Sequence, residues 1–238
     1  MLNVTTSWDD GDVLDERLVS LLEKYGMRGT FYIPRDYWGK RLADDAIRNL
    51  AARHEIGAHT LTHADLSAIS LEKAKEEIEG SKQLLAGVCG KSIDMFCYPR
   101  GRYNNDVSNI VKAAGFKGAR TTRQFSLSMP KDLFQIDTTI QVYPFPIRHG
   151  AGFLRMFRPL SERFGGFRSL GASLLDCRSW ESVTKAVFDE AVTKGDIFHL
   201  WGHSWEIEKY GMWASLERVF GYISKRSDCR YVTNGELV

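Results

Sequence analysis

The chain has 238 residues, 43% of them hydrophobic and 26% charged, with a formal net charge of +2. Such a composition belongs to a soluble globular protein able to bury one substantial core, and a charge this close to balance excludes nucleic acid as the main partner. No apolar run approaches the length of a membrane span, and the opening Met1-Leu2-Asn3-Val4 has no charged segment followed by an apolar one, so a cytoplasmic chain is expected, with the inner membrane surface as the place of any lipid contact.

Strand-like and helix-like segments alternate, the pattern of a mostly parallel sheet wrapped by helices. Asn3 to Trp8 reads as the first strand, and Val13 to Tyr25 as a helix stopped by Gly26. Arg28 to Ile33 is the second strand, Asp44 to Arg53 a helix and Glu55 to His59 the third strand. Leu71 to Leu85 is an amphipathic helix, Ile93 to Tyr98 a strand, Asn105 to Ala114 a helix, and Lys117 to Thr121 a strand. Later strands are expected at Phe134 to Val142, Asp196 to Trp201 and Arg230 to Thr233, with helices at Trp180 to Thr193 and Trp213 to Lys225. No repeat or linker interrupts the series, which predicts one domain over residues 1–238. Cys89, Cys97, Cys177 and Cys229 show no C-x-x-C spacing and are read as reduced thiols.

Two stretches carry chemistry. Asp9 and Asp10 emerge just past the end of the first strand, where α/β proteins bind ligands. Because neighbouring strand residues point to opposite faces, one carboxylate can hold a cation while the other handles a proton; Asp-Asp-Gly-Asp is equally good turn and N-cap chemistry. His59 and His63 stand at i and i+4, a spacing that brings both rings to one side of a helical turn. With one aspartate they would complete the three protein ligands usual for a catalytic zinc site.

In four blocks the sequence resembles the polysaccharide deacetylases of the NodB-homology superfamily, the carbohydrate esterase family 4 type. These are Thr6-Ser7-Trp8-Asp9-Asp10-Gly11, His54 through His63, Phe96 through Asn104, and His199-Leu200-Trp201-Gly202-His203, in the family's order. The resemblance implies an α/β fold, a distorted and partly open (β/α)7-type barrel in a single domain. It implies a metal-dependent hydrolase that removes an N-acyl group, acetyl first among the choices, from an amino sugar of a surface glycan or glycoconjugate. By the same resemblance Asp9 is the general base. Asp10, His59 and His63 hold one divalent ion, with Zn²⁺ preferred and Co²⁺ or Mn²⁺ as alternatives. The backbone N–H of Arg100 serves the oxyanion, and Tyr98 lies toward the substrate. Deformylation of a lipid-linked sugar and opening of a cyclic amide are alternatives within the superfamily. A non-catalytic carbohydrate-binding relative with a metal pin is the alternative of another class.

The general acid is assigned to His203, which lies beyond the carboxyl end of its strand, with His199 inside the strand as the alternative. Trp201 and Trp205 could wall an acyl pocket. Asp137 and Glu206 are both candidates for the partner of the acid. Where many family members carry an Arg two residues before the motif Pro, this chain has Cys97, so Arg100 or Arg102 must reach back to Asp9 or the base is oriented otherwise. Asn104 fits a helix N-cap and His54 a structural role. Finally, Phe153 to Arg168, within an expected surface insertion over 150–170, interleaves aromatics with Arg. It is either a peripheral contact with anionic lipid or a loop packed on the barrel, Pro159 and Gly165-Gly166 being expected to interrupt any long helix. The oligomeric state is open.

Overall fold

The computed structural model describes residues 1–36, 39–150 and 152–238. In chain order it contains β1 (Leu2–Asp9), α1 (Asp15–Lys24), β2 (Thr30–Ile33), α2 (Asp44–Ala51), β3 (Glu55–Ala58), α3 (Leu71–Cys89), β4 (Met95–Cys97), α4 (Asn105–Ala113) and β5 (Gly118–Arg120). There follow β6 (Ile140–Gln141), α5 (Phe153–Met156), α6 (Arg158–Ser169), α7 (Trp180–Lys194), β7 (Ile197–Gly202), α8 (Ser204–Lys209), α9 (Trp213–Ile223) and β8 (Cys229–Val232). The strands form one sheet in the order β5-β4-β3-β2-β1-β7-β6, every pair parallel, with β8 on β1. This is the expected curled, partly open barrel of a single α/β domain.

Along β1 the alternation of side chains sorts two environments. Thr5, Ser7 and Asp9 face the barrel interior, where Thr5 donates to Asn234 Oδ1 at 2.8 Å and Ser7 Oγ lies 2.8 Å from His199 Nε2. Val4 and Trp8 face the helices, and Trp8 meets Phe220 of α9 edge-on at 6.3 Å. Trp8 is fully buried, and its indole N–H donates to Thr6 Oγ1 at 3.1 Å. The interior is therefore polar and hydrogen-bonded, while the apolar core lies between sheet and helices.

Three expected elements differ. Helix α1 begins at Asp15 rather than Val13, because Leu14 N–H bonds Asp12 Oδ1 at 3.0 Å and the two residues before the helix are spent in that turn. The strand expected over Phe134 to Val142 shrinks to Ile140–Gln141. Its earlier part is an irregular connector that bonds β5 (Ile136 N–H to Ala119 O, 2.9 Å) and then β7 (Thr139 N–H to His199 O, 2.9 Å), spanning the gap where the barrel is open. The Arg- and Phe-rich stretch is helical, not a loop. The break falls at Phe157, Pro159 sits in the first turn of α6 where its missing N–H costs nothing, and Gly165-Gly166 lie inside α6. Gly166 is needed there, since a Cβ would stand 2.4 Å from the Phe125 ring that packs edge-on against the buried Phe167.

Candidate active site

A cavity of about 710 Å³ opens at the carboxyl end of the barrel and is lined by Asp9, Asp10, His59, His63, Arg100, Trp201, His203 and Trp205 among others. Simple strand alternation would send Asp9 and Asp10 to opposite faces. Instead both line this one cavity, because the chain turns at Asp10, which has a left-handed φ of 82°, and again at Gly11 with φ 62°. A side chain at Gly11 would in addition meet Ile33 at 2.8 Å. The expected helical turn between the two histidines is likewise absent. Thr60 (φ 66°) and His63 (φ 55°) are left-handed, and this bent loop rather than i,i+4 spacing brings the rings to 4.8 Å centroid to centroid. Left-handed non-glycine residues cost free energy and cluster at functional sites when the surroundings hold them. Here Glu77 of α3 does so, accepting from Leu61 N–H at 2.9 Å, Thr62 N–H at 2.8 Å and Thr62 Oγ1 at 2.8 Å.

Asp10, His59 and His63 form a donor set fit for a divalent cation. The Nε2 atoms of His59 and His63 lie 3.9 and 3.6 Å from Asp10 Oδ1, and the three candidate ligand atoms are within 4.8 Å of one another. Asp10 Oδ1 is buried without a hydrogen-bond partner, while Oδ2 is fixed by the indole N–H of Trp205 at 3.0 Å. His59 Nδ1 lies 2.8 Å from Cys97 O; a carbonyl can only accept, so Nδ1 carries the proton and Nε2 keeps its lone pair toward Asp10. Burial pushes both imidazoles down to about 4, so at neutral pH they are in the ligand form. Asp9, His59 and Cys97 also stand within ligand distance of one another, but Asp9 already carries a guanidinium, which a cation placed there would face.

That guanidinium belongs to Arg120, and it answers what the sequence left open. Arg120 Nη2 donates to Asp9 Oδ1, and both side chains are buried. Neither Arg100 nor Arg102 reaches back; Arg102 pairs with Asp65 at 2.6 Å. Arg120 is the β5 partner of Cys97 in register, so the charge missing from one strand is supplied by its neighbour at the same level. Its guanidinium packs over Trp201 at 4.8 Å and Tyr32 at 5.2 Å. Burial pushes the Asp9 carboxyl up, but Arg120, His59 and His203 outweigh it and hold the group below its ordinary range, hence ionised.

His203 follows the last residue of β7. Its Nε2 stands 4.0 Å from Asp9 Oδ2 and its Nδ1 2.7 Å from Glu206 Oε2, which makes Glu206 and not Asp137 its partner; Asp137 is engaged by Thr121 and Arg123. Burial lowers the His203 pKa, yet Glu206 and then Asp10 and Asp9 raise it to about 9. Glu206 is itself held by Gln141 Nε2 at 3.2 Å, and Gln141 Oε1 by Arg163 of α6 at 2.6 Å. His199 is fully buried on Ser7 and pushed down by burial to about 3, the packed strand residue expected of it.

Of the remaining expectations, Trp201 and Trp205 do line the cavity, and the buried indole N–H of Trp201 has no partner among the described residues. Arg100 lines it with a left-handed φ of 57°. Tyr98 is a correction. It is fully buried away from the cavity, stacked on Tyr103 at 4.1 Å, with its hydroxyl donating to Phe134 O at 3.1 Å, because alternation in the strand leading to it turns its ring toward the helices. Asn104 caps α4 through Val107 N–H at 2.9 Å, and His54 Nδ1 accepts from Gly29 N–H at 3.1 Å. Sequence reasoning missed Arg120, Gln141 and Arg163. Only the first left a signal, a lone charge inside an apolar strand that must be paired when buried.

Residues 3–119, just under half of the chain, match the family described as polysaccharide deacetylase. The Bacillus subtilis protein YxkH is 23% identical over 137 residues, which is 56% of this chain and 49% of that protein. The chitooligosaccharide deacetylase of Rhizobium leguminosarum bv. trifolii is 26% identical over 120 residues, 48% of this chain and 54% of that protein. The chain thus spans about half the length of the curated relatives it matches. Among solved structures, a family 4 acetyl xylan esterase from Clostridium thermocellum in complex with a cobalt ion superposes with a TM-score of 0.62 at 16% identity, over 99% of this chain and 89% of that one. This last likeness is one of fold.

Proposed function

From a chain that is a relative of the polysaccharide deacetylases, we propose an enzyme that hydrolyses the N-acyl, first the N-acetyl, group of an amino sugar with the help of one divalent cation. The observation that carries the reading is the convergence in one cavity of an arginine-held carboxylate, a carboxylate with a buried unpartnered oxygen beside two neutral imidazoles, and a histidine kept protonated by Glu206. A cation held by Asp10, His59 and His63, zinc by preference for this mixed donor set, would supply Lewis-acid polarisation and make water acidic.

The chain's own groups divide the protons. Asp9, ionised and fixed through Oδ1, presents Oδ2 to take a proton from the attacking water. His203, protonated below about 9, can give one to the departing amine, which leaves poorly without it. Both line the one cavity, with Nε2 4.0 Å from Oδ2, so acid and base address the same reacting centre. Trp201, which lines the cavity and whose indole N–H has no partner among the described residues, would donate to a substrate acceptor. The non-catalytic alternative rested on the missing family Arg, and Arg120 removes that support.

Acetate release from an N-acetylglucosamine oligomer tests the division of labour. Asp9→Asn should keep its metal and lose about 10²- to 10⁴-fold in rate, while Asp10→Asn should lose the metal itself. Equal metal loss in both variants would refute the assignment, and faster release of formate than acetate from matched substrates would move the substrate to a formamido sugar.

A further inference from the structure

A second cavity, of about 460 Å³, is lined by Arg148, His149, Arg155, Lys209 and Tyr210, together with Gly150 and Gly152. We infer that it is a binding site for a phosphate ester, independent of the amide chemistry proposed above. Three permanent cations line it, and among the described residues no carboxylate does. In a chain of net charge +2 such a concentration is local, not general. Many exposed cations elsewhere face an acid, as Lys24 faces Glu217 at 2.5 Å and Arg17 faces Glu208 at 3.4 Å. Among the described residues Arg148, Arg155 and Lys209 are in no ion pair.

The neighbouring acids are committed elsewhere: on α8, Glu206 turns to His203 and Glu208 to Arg17. Arg148 is braced by the Tyr143 hydroxyl at 2.6 Å, and Lys209 lies 5.4 Å from the Tyr210 ring, so two cations are steered by neutral groups that leave their charge unspent. There is open space beside both glycines, since a Cβ at Gly150 or Gly152 would meet nothing within 4 Å. Guanidinium forks match phosphate oxygens in pairs, and a cavity of this size takes a phosphate together with the group it esterifies rather than a bare ion.

The ester could be a soluble sugar phosphate or a lipid headgroup. The second source is consistent with Phe157, Leu174 and Leu175, which the same 150–179 stretch leaves 41%, 71% and 77% exposed.

The 238-residue chain and its R155Q/K209Q variant, whose changes touch no group of the active site, are compared in two assays. One is co-sedimentation with vesicles of phosphatidylglycerol or of phosphatidylcholine alone. The other is protection against thermal unfolding by glucose 1-phosphate. Wild type should bind phosphatidylglycerol but not phosphatidylcholine vesicles, or be protected by the sugar phosphate. The variant should lose about fivefold per charge, about 25-fold in all. Retention by vesicles alone assigns a headgroup, and protection alone a soluble ester. No response in either assay, or equal responses from wild type and variant, overturns the inference.

Discussion

The rim after β1, β3 and β4 places its side chains through the backbone, whereas the stretch from β6 through α6 places them through bonds between side chains. Asp10, His63 and Arg100 line the cavity and adopt left-handed φ, as does Thr60 between the two histidines. Gln141, Arg163, Tyr143 and Arg148 lie on unremarkable backbone. They are tied instead by contacts such as Arg163 to Gln141 at 2.6 Å and the Arg163 guanidinium over Tyr143 at 4.6 Å. A geometry written into consecutive residues survives as a short motif. A geometry assembled from distant side chains leaves little trace in any one segment.

The histidine inside β7, His199, and the one just past it, His203, separate these regimes most sharply. His203→Ala should reduce amide turnover by about 10²- to 10⁴-fold and spare an activated ester, whose leaving group needs little protonation. His199→Ala should show no such selectivity. A selective loss in His199→Ala with His203→Ala near wild type would reverse the assignment. The basic limb of kcat/KM should fall as pH rises through about 9, where His203 loses its proton, and Glu206→Gln should move that limb down. The sign for stability follows: the pKa is raised on folding from 6.5, so the contribution of His203 is fully present below about 6.5 and is lost as pH rises through about 9.

Next in size is the buried pair of Asp9 and Arg120. Arg120→Met should destabilise by about 3–5 kcal/mol, since it strands a buried carboxylate. The double variant Asp9→Asn/Arg120→Met should recover much of this in urea unfolding. Additive losses would mean that the two groups are not coupled. Arg163→Met, which removes the brace of Gln141 together with the cation over the Tyr143 ring, should cost roughly tenfold in amide turnover, the order of one charge-assisted hydrogen bond, with metal content unchanged. A loss as large as that of His203→Ala would show that α6 does more than brace. Asn104→Ala, a cap far from the chemistry, should cost only about 1 kcal/mol of stability.

The contrast also explains what could be read in advance. Strand ends, two carboxylates and two histidines declared the barrel and the rim where the candidate ligands meet, because each is a local signal. The mechanism inferred for the histidines was wrong in detail: spacing pointed to a helical turn, but a bent loop braced by Glu77 does the work. Arg120 left a signal as a charge inside a strand, but its partner was out of reach because its relation to Asp9 depends on the pairing of β5 with β4, where it meets Cys97 in register. Tyr98 was misplaced because motif membership says nothing about which face a side chain takes. The helices of 153–169 were hidden by Pro159 and by Gly165-Gly166, whose tolerance depends on a first-turn position and on the Phe125 ring.

The central claim is that Asp10, His59 and His63 hold the cation on which amide hydrolysis depends. It is tested most directly by acetate release from an N-acetylglucosamine oligomer, using chelator-stripped protein before and after one equivalent of Zn²⁺ or Co²⁺. Activity that is absent when stripped, returns with one equivalent, and fails to return in Asp10→Asn is the predicted result. Acetate release that is undiminished by stripping, or restored equally well in Asp10→Asn, would contradict the account.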